Sequence, residues 1–243
     1  MTERQIAELL VYDAEEACPY LDGNVARLPL RWPMRGVSRA QTDQFLAAGD
    51  RRSGPYLYHT QCPQCQACEP IRLNVAEFQM SRGQRRVLRR GDQVLETRIG
   101  SPECDERRIA MYNRHKQERG LDLRGVEVDA AEYQAFLVES CCETLEFSYW
   151  LNGELVGVAI IDRGENSLNA VYCFFDVEQS HLSIGTYSIL KQVEWCREWQ
   201  LRHLYLGLYV SGCRPMEYKA DYLPHERLID ARWQRFPRVS DGK

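Results

Sequence analysis

Three cysteines stand at even spacing, Cys62, Cys65 and Cys68, and five arginines follow within nine residues, Arg82, Arg85, Arg86, Arg89 and Arg90. The C-x2-C-x2-C spacing suits thiolates converging on an iron–sulfur cluster or supplying three of four zinc ligands. The alternative is a set of reduced, packed thiols. The arginines recur at i, i+3, i+4, i+7 and i+8, so on a helix they share one face. No acid interrupts them, and the whole chain carries a net charge of -4. The cationic face is therefore a local feature, not a product of composition. It points to a polyanion, most economically a nucleic acid. Five phosphate contacts would give a slope of log affinity against log salt of roughly -3.5 to -4.5. The competing reading is a solvated helix face.

The elements that must carry these groups follow from patterning. Ile71–Val75 alternates and reads as a strand. The Arg-rich segment from Ser81 to Arg90 reads as a helix with a serine cap. Residues 103–118 read as an amphipathic helix with Ile109, Met111 and Tyr112 inward, and residues 130–140 as a shorter one. Leu145–Leu151 and Leu155–Asp162 read as strands joined by an Asn152-Gly153 hairpin turn. Asn169–Phe175 is a third strand, Ser183–Trp199 a long helix, and Leu204–Val210 a fourth strand. A further helix starts near Arg214. Antiparallel strands, then a helix, then a strand give an α+β, GNAT-like acyltransferase core. With Gly100-Ser101-Pro102 as a boundary, residues 1–100 form a cysteine-containing, Arg-rich domain and residues 101–243 the acyltransferase domain.

The chain has 243 residues, 44% of them hydrophobic and 27% charged, enough for a proper core. The first residues show no signal peptide, and no stretch is long enough for a membrane span. The expected location is the cytoplasm, with no membrane partner and with ten reduced cysteines. At the start of the long helix, Ser183 and Gly185 lie in a turn whose backbone N–H groups and helix dipole favour a phosphate-bearing acyl carrier. A tightly packed helix start explains the same residues.

Motifs then accumulate along nearly the whole chain. They run from Cys18-Pro19-Tyr20-Leu21, Arg51-Arg52-Ser53-Gly54 and Cys68-Glu69-Pro70 through Phe78–Arg86 and Ala170-Val171-Tyr172. They continue with Ser183-Ile184-Gly185-Thr186 and Tyr205-Leu206-Gly207, and end at Met216-Glu217-Tyr218-Lys219. In this order the chain resembles the aminoacyl-tRNA–protein transferases. The likeness is to the short bacterial branch that moves leucine from its tRNA onto N-terminal Asp or Glu, tagging proteins for degradation. It departs at Leu182, where arginine is common, and at Gly83, Leu208 and His59, where serine, tyrosine and arginine are usual.

The resemblance implies aminolysis of an aminoacyl ester, with Leu-tRNA and proteins beginning Asp or Glu as partners. No cofactor is required for that reaction. An α-amine has a pKa near 7.7–8.0, so roughly a tenth is neutral at pH 7 and a dedicated base adds only about 1.4 kcal/mol. Positioning and oxyanion stabilisation must do more. The acceptor's carboxylate needs a cation, and Arg51, Arg52 and Lys219 lie in matching motifs. Tyr172, Tyr209, Tyr218 or backbone amides near Gly207 would donate to the ester carbonyl, and Asp176 would orient the amine. Buried tyrosines also read as core, and Asp176 as a loop cap. Cys18, in the matching N-terminal motif, would be the fourth ligand of a zinc or iron–sulfur site. Two other activities stay open: arginine as the donated residue, and acetyl-CoA-dependent N-acetylation on the same core.

Overall fold

A computed structural model of the chain describes residues 6–120 and 125–238. Fourteen strands occur in chain order among them. They are Glu8–Tyr12 (β1), Glu15–Ala17 (β2), Val25–Arg27 (β3), Leu30–Pro33 (β4), Arg51–Ser53 (β5), Tyr56–Tyr58 (β6) and Cys68–Asn74 (β7), then Leu95–Gly100 (β8), Thr144–Leu151 (β9), Glu154–Arg163 (β10), Ser167–Phe175 (β11), His203–Val210 (β12), His225–Ile229 (β13) and Arg232–Phe236 (β14). The α-helices are Arg39–Ala48 (α1), Arg82–Asp92 (α2), Glu106–Glu118 (α3), Ala130–Tyr133 (α4), Ile184–Glu198 (α5) and Arg214–Glu217 (α6).

Eight strands form the main sheet, in the order β14-β13-β7-β12-β11-β10-β9-β8. Its pairings are antiparallel except that of β11 with β12, which is parallel and is joined by the α5 crossover. The hairpin between β9 and β10 turns at Asn152 and Gly153, both at positive φ, as the Asn-Gly pair predicts. Helices α2 and α5 cover one face through Leu88, Tyr187, Leu190 and Val193. Helix α3 and the α4 segment cover the other through Met111, Tyr112 and Tyr133. Because both faces are covered, β10 is buried along nearly its whole length. At the α2–α5 crossing, a Cβ on Gly91 would stand 2.3 Å from the Tyr187 ring. Only a glycine allows this approach.

The boundary expected near residue 100 does not separate the sheets. Strand β7 lies between β12 and β13, and β8 pairs with β9. The first hundred residues therefore supply two strands and a helix to the main layer. Strands β1, β4, β6 and β5 form a separate four-stranded sheet, which the sequence pattern did not announce. The helix expected over 130–140 is a single α-turn followed by a π-helical turn, Gln134–Val138.

The small sheet is anchored to the large one by a buried ion pair. Arg52 Nε donates to Asp162 Oδ1 at 2.9 Å, and both side chains are almost fully excluded from solvent. Burial works against the Arg52 charge, but Asp162 more than offsets it and holds the guanidinium above its ordinary pKa. Thr144 Oγ1 also donates to Asp162, at 2.8 Å. Removing one partner of such a pair leaves an uncompensated buried charge. Asp162→Ala is therefore expected to lower unfolding free energy by about 3–5 kcal/mol. Denaturant unfolding checks this, and a loss under about 1 kcal/mol would show that the pair is not an anchor.

Candidate functional site

Strands β11 and β12 pair through only three residue pairs, Ser167–His203, Leu168–Leu204 and Asn169–Tyr205. Beyond Asn169 and Tyr205 they have no registered pairing, and the sheet opens into a fork. On its other edge β12 carries a bulge against β7. Tyr205 pairs with Arg72 and Leu208 with Pro70, so Leu206 and Gly207 face Ile71 alone. Gly207 takes up the distortion at φ +81°. A cavity of about 120 Å³ lies in the fork, bounded by Asn169 and Val171 on one strand and by Gly207 and Leu208 on the other. A single water needs only roughly 10–15 Å³.

Arg51, Arg52 and Lys219 all line this cavity. Helix α1 delivers the two arginines. Ser38 caps it in a reciprocal box with Gln41, and Gly49 ends it in a left-handed turn just before β5. Arg51 is 5% exposed. Its Nη2 donates to the Gly207 carbonyl at 2.9 Å and its Nη1 to the Asp50 carbonyl at 2.7 Å. Its Nε has no partner. Lys219 lies on the 3-10 turn Tyr218–Asp221 and donates to the Leu208 carbonyl at 2.7 Å. Among the described residues no carboxylate pairs with Arg51 or Lys219. Burial pushes both groups below their ordinary pKa values, and the neighbouring Arg51 charge lowers Lys219 further, to about 7. Lys219 Nζ also meets Met216 Sδ at 3.6 Å, and the Arg51 guanidinium lies 5.7 Å from the centre of the Tyr205 ring, so both basic groups are met by carbonyls, a thioether and a ring but by no paired carboxylate among the described residues. Arg52 contributes less free charge, because Asp162 already neutralises it.

The other expected residues lie elsewhere. Ser183 caps α5 from the left-handed region at φ 55°, with no side-chain cap bond. A Cβ on Gly185 would meet Phe175 at 3.3 Å, so this glycine also serves close packing. Arg82, Arg85, Arg86, Arg89 and Arg90 are exposed on α2, while Gln84, Leu88 and Gly91 face inward. The helix is capped by Ser81 and Gln84. Gln84 Nε2 also reaches the Asp221 carbonyl at 3.5 Å, at the end of the turn that holds Lys219.

The four catalytic candidates do not line the cavity. Tyr172 packs edge-on or tilted among Tyr112, Phe136 and Phe174 on the α3 side of the sheet. The Arg227 guanidinium lies 4.5 Å from the centre of the Tyr209 ring. Tyr218 begins the 3-10 turn and is 47% exposed as a residue, while burial at its hydroxyl pushes the phenol up to about 12. Asp176 caps the turn after β11, accepting from the Glu178 amide at 3.1 Å, with Arg107 and Arg114 at 3.7 and 3.9 Å.

Cys68 begins β7 opposite Val210, and Pro70 sits in the same strand, opposite Leu208. Burial raises the Cys68 thiol to about 12, helped by the nearby Cys62, Cys18, Cys65 and Cys213. At neutral pH it is protonated. The four cysteines Cys18, Cys62, Cys65 and Cys68 are thus neighbours. Among the described residues, however, no three or more Cys, His, Asp or Glu side chains form a group able to hold a metal ion. Zinc or cluster geometry is not assembled among them. No helix among the described residues is long and apolar enough to cross a membrane.

Sequence patterning missed Asn169, Tyr58 and Tyr20 in the cavity wall. The signal for Asn169 was an amide at the start of an otherwise apolar strand. The buried state of Lys219 predicts a sign. Folding depresses its pKa from the ordinary 10.5 to about 7. The unfolded chain then binds more protons between those values, so stability rises with pH across that window. Lys219→Met removes the penalty. Its gain in thermal stability over the parent is expected to be largest below pH 7 and to shrink toward pH 10. A pH-independent difference would contradict the assignment.

The geometry can be set beside known proteins. In fold, the chain is similar to the C-terminal domain of a putative lysylphosphatidylglycerol synthetase from Agrobacterium fabrum, with TM-score 0.51 and 12% identity, over 91% of this chain and 82% of that one. A leucyltransferase from Chromobacterium violaceum, named for aspartate/glutamate, is 37% identical over 96% of each chain. A protein of the same name from Pseudoalteromonas atlantica is 36% identical over 79% of this chain and 82% of that protein. Family models described as the N terminus and C terminus of arginine-tRNA-protein transferase match residues 16–86 and 107–229. Both halves of the family pattern meet at the fork, residues 51 and 52 from the first and Asn169 to Lys219 from the second, and the chain belongs to the arginine-tRNA-protein transferase family.

Proposed function

We propose that this chain is an aminoacyl-tRNA–protein transferase that moves leucine from Leu-tRNA onto the N-terminal Asp or Glu of acceptor proteins. The observation that carries the reading is the pair of buried cations in the fork, Arg51 and Lys219, with no carboxylate partner among the described residues. A buried charge is stable when paired. The acceptor's acidic side chain supplies the missing partner, and the carbonyls of Gly207 and Leu208 keep both cations aimed at it. Relatives named for aspartate and glutamate as acceptors and for leucine support the same substrates.

The chemistry is modest in its demands. The neutral α-amine attacks the ester carbonyl, and the tRNA ribose oxygen leaves. Fixing the acidic side chain in the fork places the amine and removes the entropy cost of a bimolecular encounter. The bulge at Leu206–Gly207 takes backbone out of the β7–β12 register and puts it in the cavity wall, where backbone amides rather than tyrosines would meet the developing oxyanion. A GNAT-like divergence of the two parallel strands provides the slot for the aminoacyl end. The N-terminus of α5, with Ser183 and Gly185, suits a phosphate of the carrier. The exposed arginines of α2 suit the tRNA backbone, and Gln84 links that helix to the Lys219 turn.

The test is transfer with purified components. Labelled leucine and arginine, each on its tRNA, and labelled acetyl-CoA are offered with peptides beginning Asp, Glu or Ala. Leucine is expected to appear on the Asp and Glu peptides only. Transfer of arginine alone, acetylation alone, or no peptide product would overturn the reading.

A further inference from the structure

Asn169 is 2% exposed and lines the fork. Its orientation is fixed: Nδ2 donates to Asp162 Oδ2 at 3.2 Å, and Asp162, ion-paired with Arg52, offers only acceptors. The amide oxygen Oδ1 is therefore turned away from Asp162, and it has no partner. Two other residues of the cavity wall also carry a buried polar atom without a partner, Arg51 at Nε and Arg52 at Nη2. The residues of the wall thus hold two unused donors and one unused acceptor, each atom sealed from solvent in this structure. Buried groups of this kind are costly to leave unmet. Their complement is a ligand with an anionic oxygen at one end and an N–H a few bonds away. An N-terminal acidic residue has that form, with its side-chain carboxylate and its α-amine.

We propose that Asn169 Oδ1 is the subsite for the acceptor's α-amine, a positioning group for the nucleophile; this rests on reading the fork as the acceptor site. The carboxylate binds Arg51 and Lys219, and one amine hydrogen is donated to Asn169 Oδ1. The nitrogen lone pair then points at the ester carbonyl. The C–N bond forms, the ester C–O bond breaks, and the proton lost by nitrogen goes to the departing ribose oxygen. An amide oxygen is too weak a base to take that proton. It selects an N–H donor and aims it. The Arg52–Asp162 pair then has a second use beyond anchoring the small sheet, since it fixes the Asn169 rotamer from behind. The buried amide among the mostly apolar residues of β11 is explained by the same arrangement.

The experiment compares two peptides in binding. One begins with Asp; the other carries a succinyl group in its place, which keeps the carboxylate and lacks the amine. The parent protein is expected to bind the Asp peptide about five- to tenfold more tightly than the succinyl peptide. Asn169→Ala is expected to bind both equally, with affinity for the succinyl peptide unchanged. Asn169→Ser, which keeps a donor for Asp162 and shortens the acceptor, gives the same readout if the alanine variant does not fold. A preference for the Asp peptide that survives in the folded variant overturns the proposal. Failure of both peptides to bind the parent protein overturns the reading of the fork itself, so the two failures are distinguishable.

Discussion

Arg51 and Lys219, buried side by side with no carboxylate paired to either among the described residues, are the constraint on which this molecule turns. Arg51 and Lys219 enter the fork from opposite ends of the chain, and each is held by a backbone carbonyl of β12. A carbonyl satisfies a donor but does not neutralise a charge. The cost is visible in the lowered pKa of both groups. Folding for stability alone would favour an apolar residue or a paired carboxylate at these positions. On the proposed function, the arrangement gains a site whose free energy improves when a carboxylate arrives.

The fork exists because β11 and β12 run parallel yet pair over three residues only. A parallel pair needs a crossover, and α5 supplies it. Strand β7 then matters as much as the crossover. Inserted from the first hundred residues, it pairs with the far edge of β12, and the bulge opposite Ile71 turns two β12 carbonyls toward the incoming cations. The buried Arg52–Asp162 pair fixes β5 against β10 and sets Asn169 in its rotamer. The site is therefore made jointly by both halves of the chain, and neither half contains it.

Local signals in the sequence carried the right half well. The Asn-Gly hairpin, the apolar strands, the long helix and the Ser81-capped arginine helix all formed within a few residues of their expected bounds. These features depend on neighbours in the chain. The short strands β1 to β6 escaped because three- to five-residue segments carry too little periodicity to separate from loop. Strand β7 pairs with β12 and β13 across the boundary drawn near residue 100, and no local pattern encodes that pairing. The site residues divide the same way. Arg51, Arg52 and Lys219, singled out from motifs, are brought together at one cavity. The tyrosines and Asp176 were not separable from structural residues by type, and the structure gives them packing and capping contacts. Asn169 takes its importance from Asp162 behind it, a partner across the sheet.

The central claim is that the fork cations read the acceptor's acidic side chain. Its most direct test is the ratio of single-turnover transfer rates for peptides beginning Asp and Asn, measured in the parent protein and in Lys219→Met. The two peptides differ by a charge and little in shape. The account predicts that the parent favours Asp by roughly 10- to 150-fold, the range for a charged hydrogen bond, and that the variant loses most of this preference. An unchanged Asp-to-Asn ratio in a folded Lys219→Met protein would contradict it.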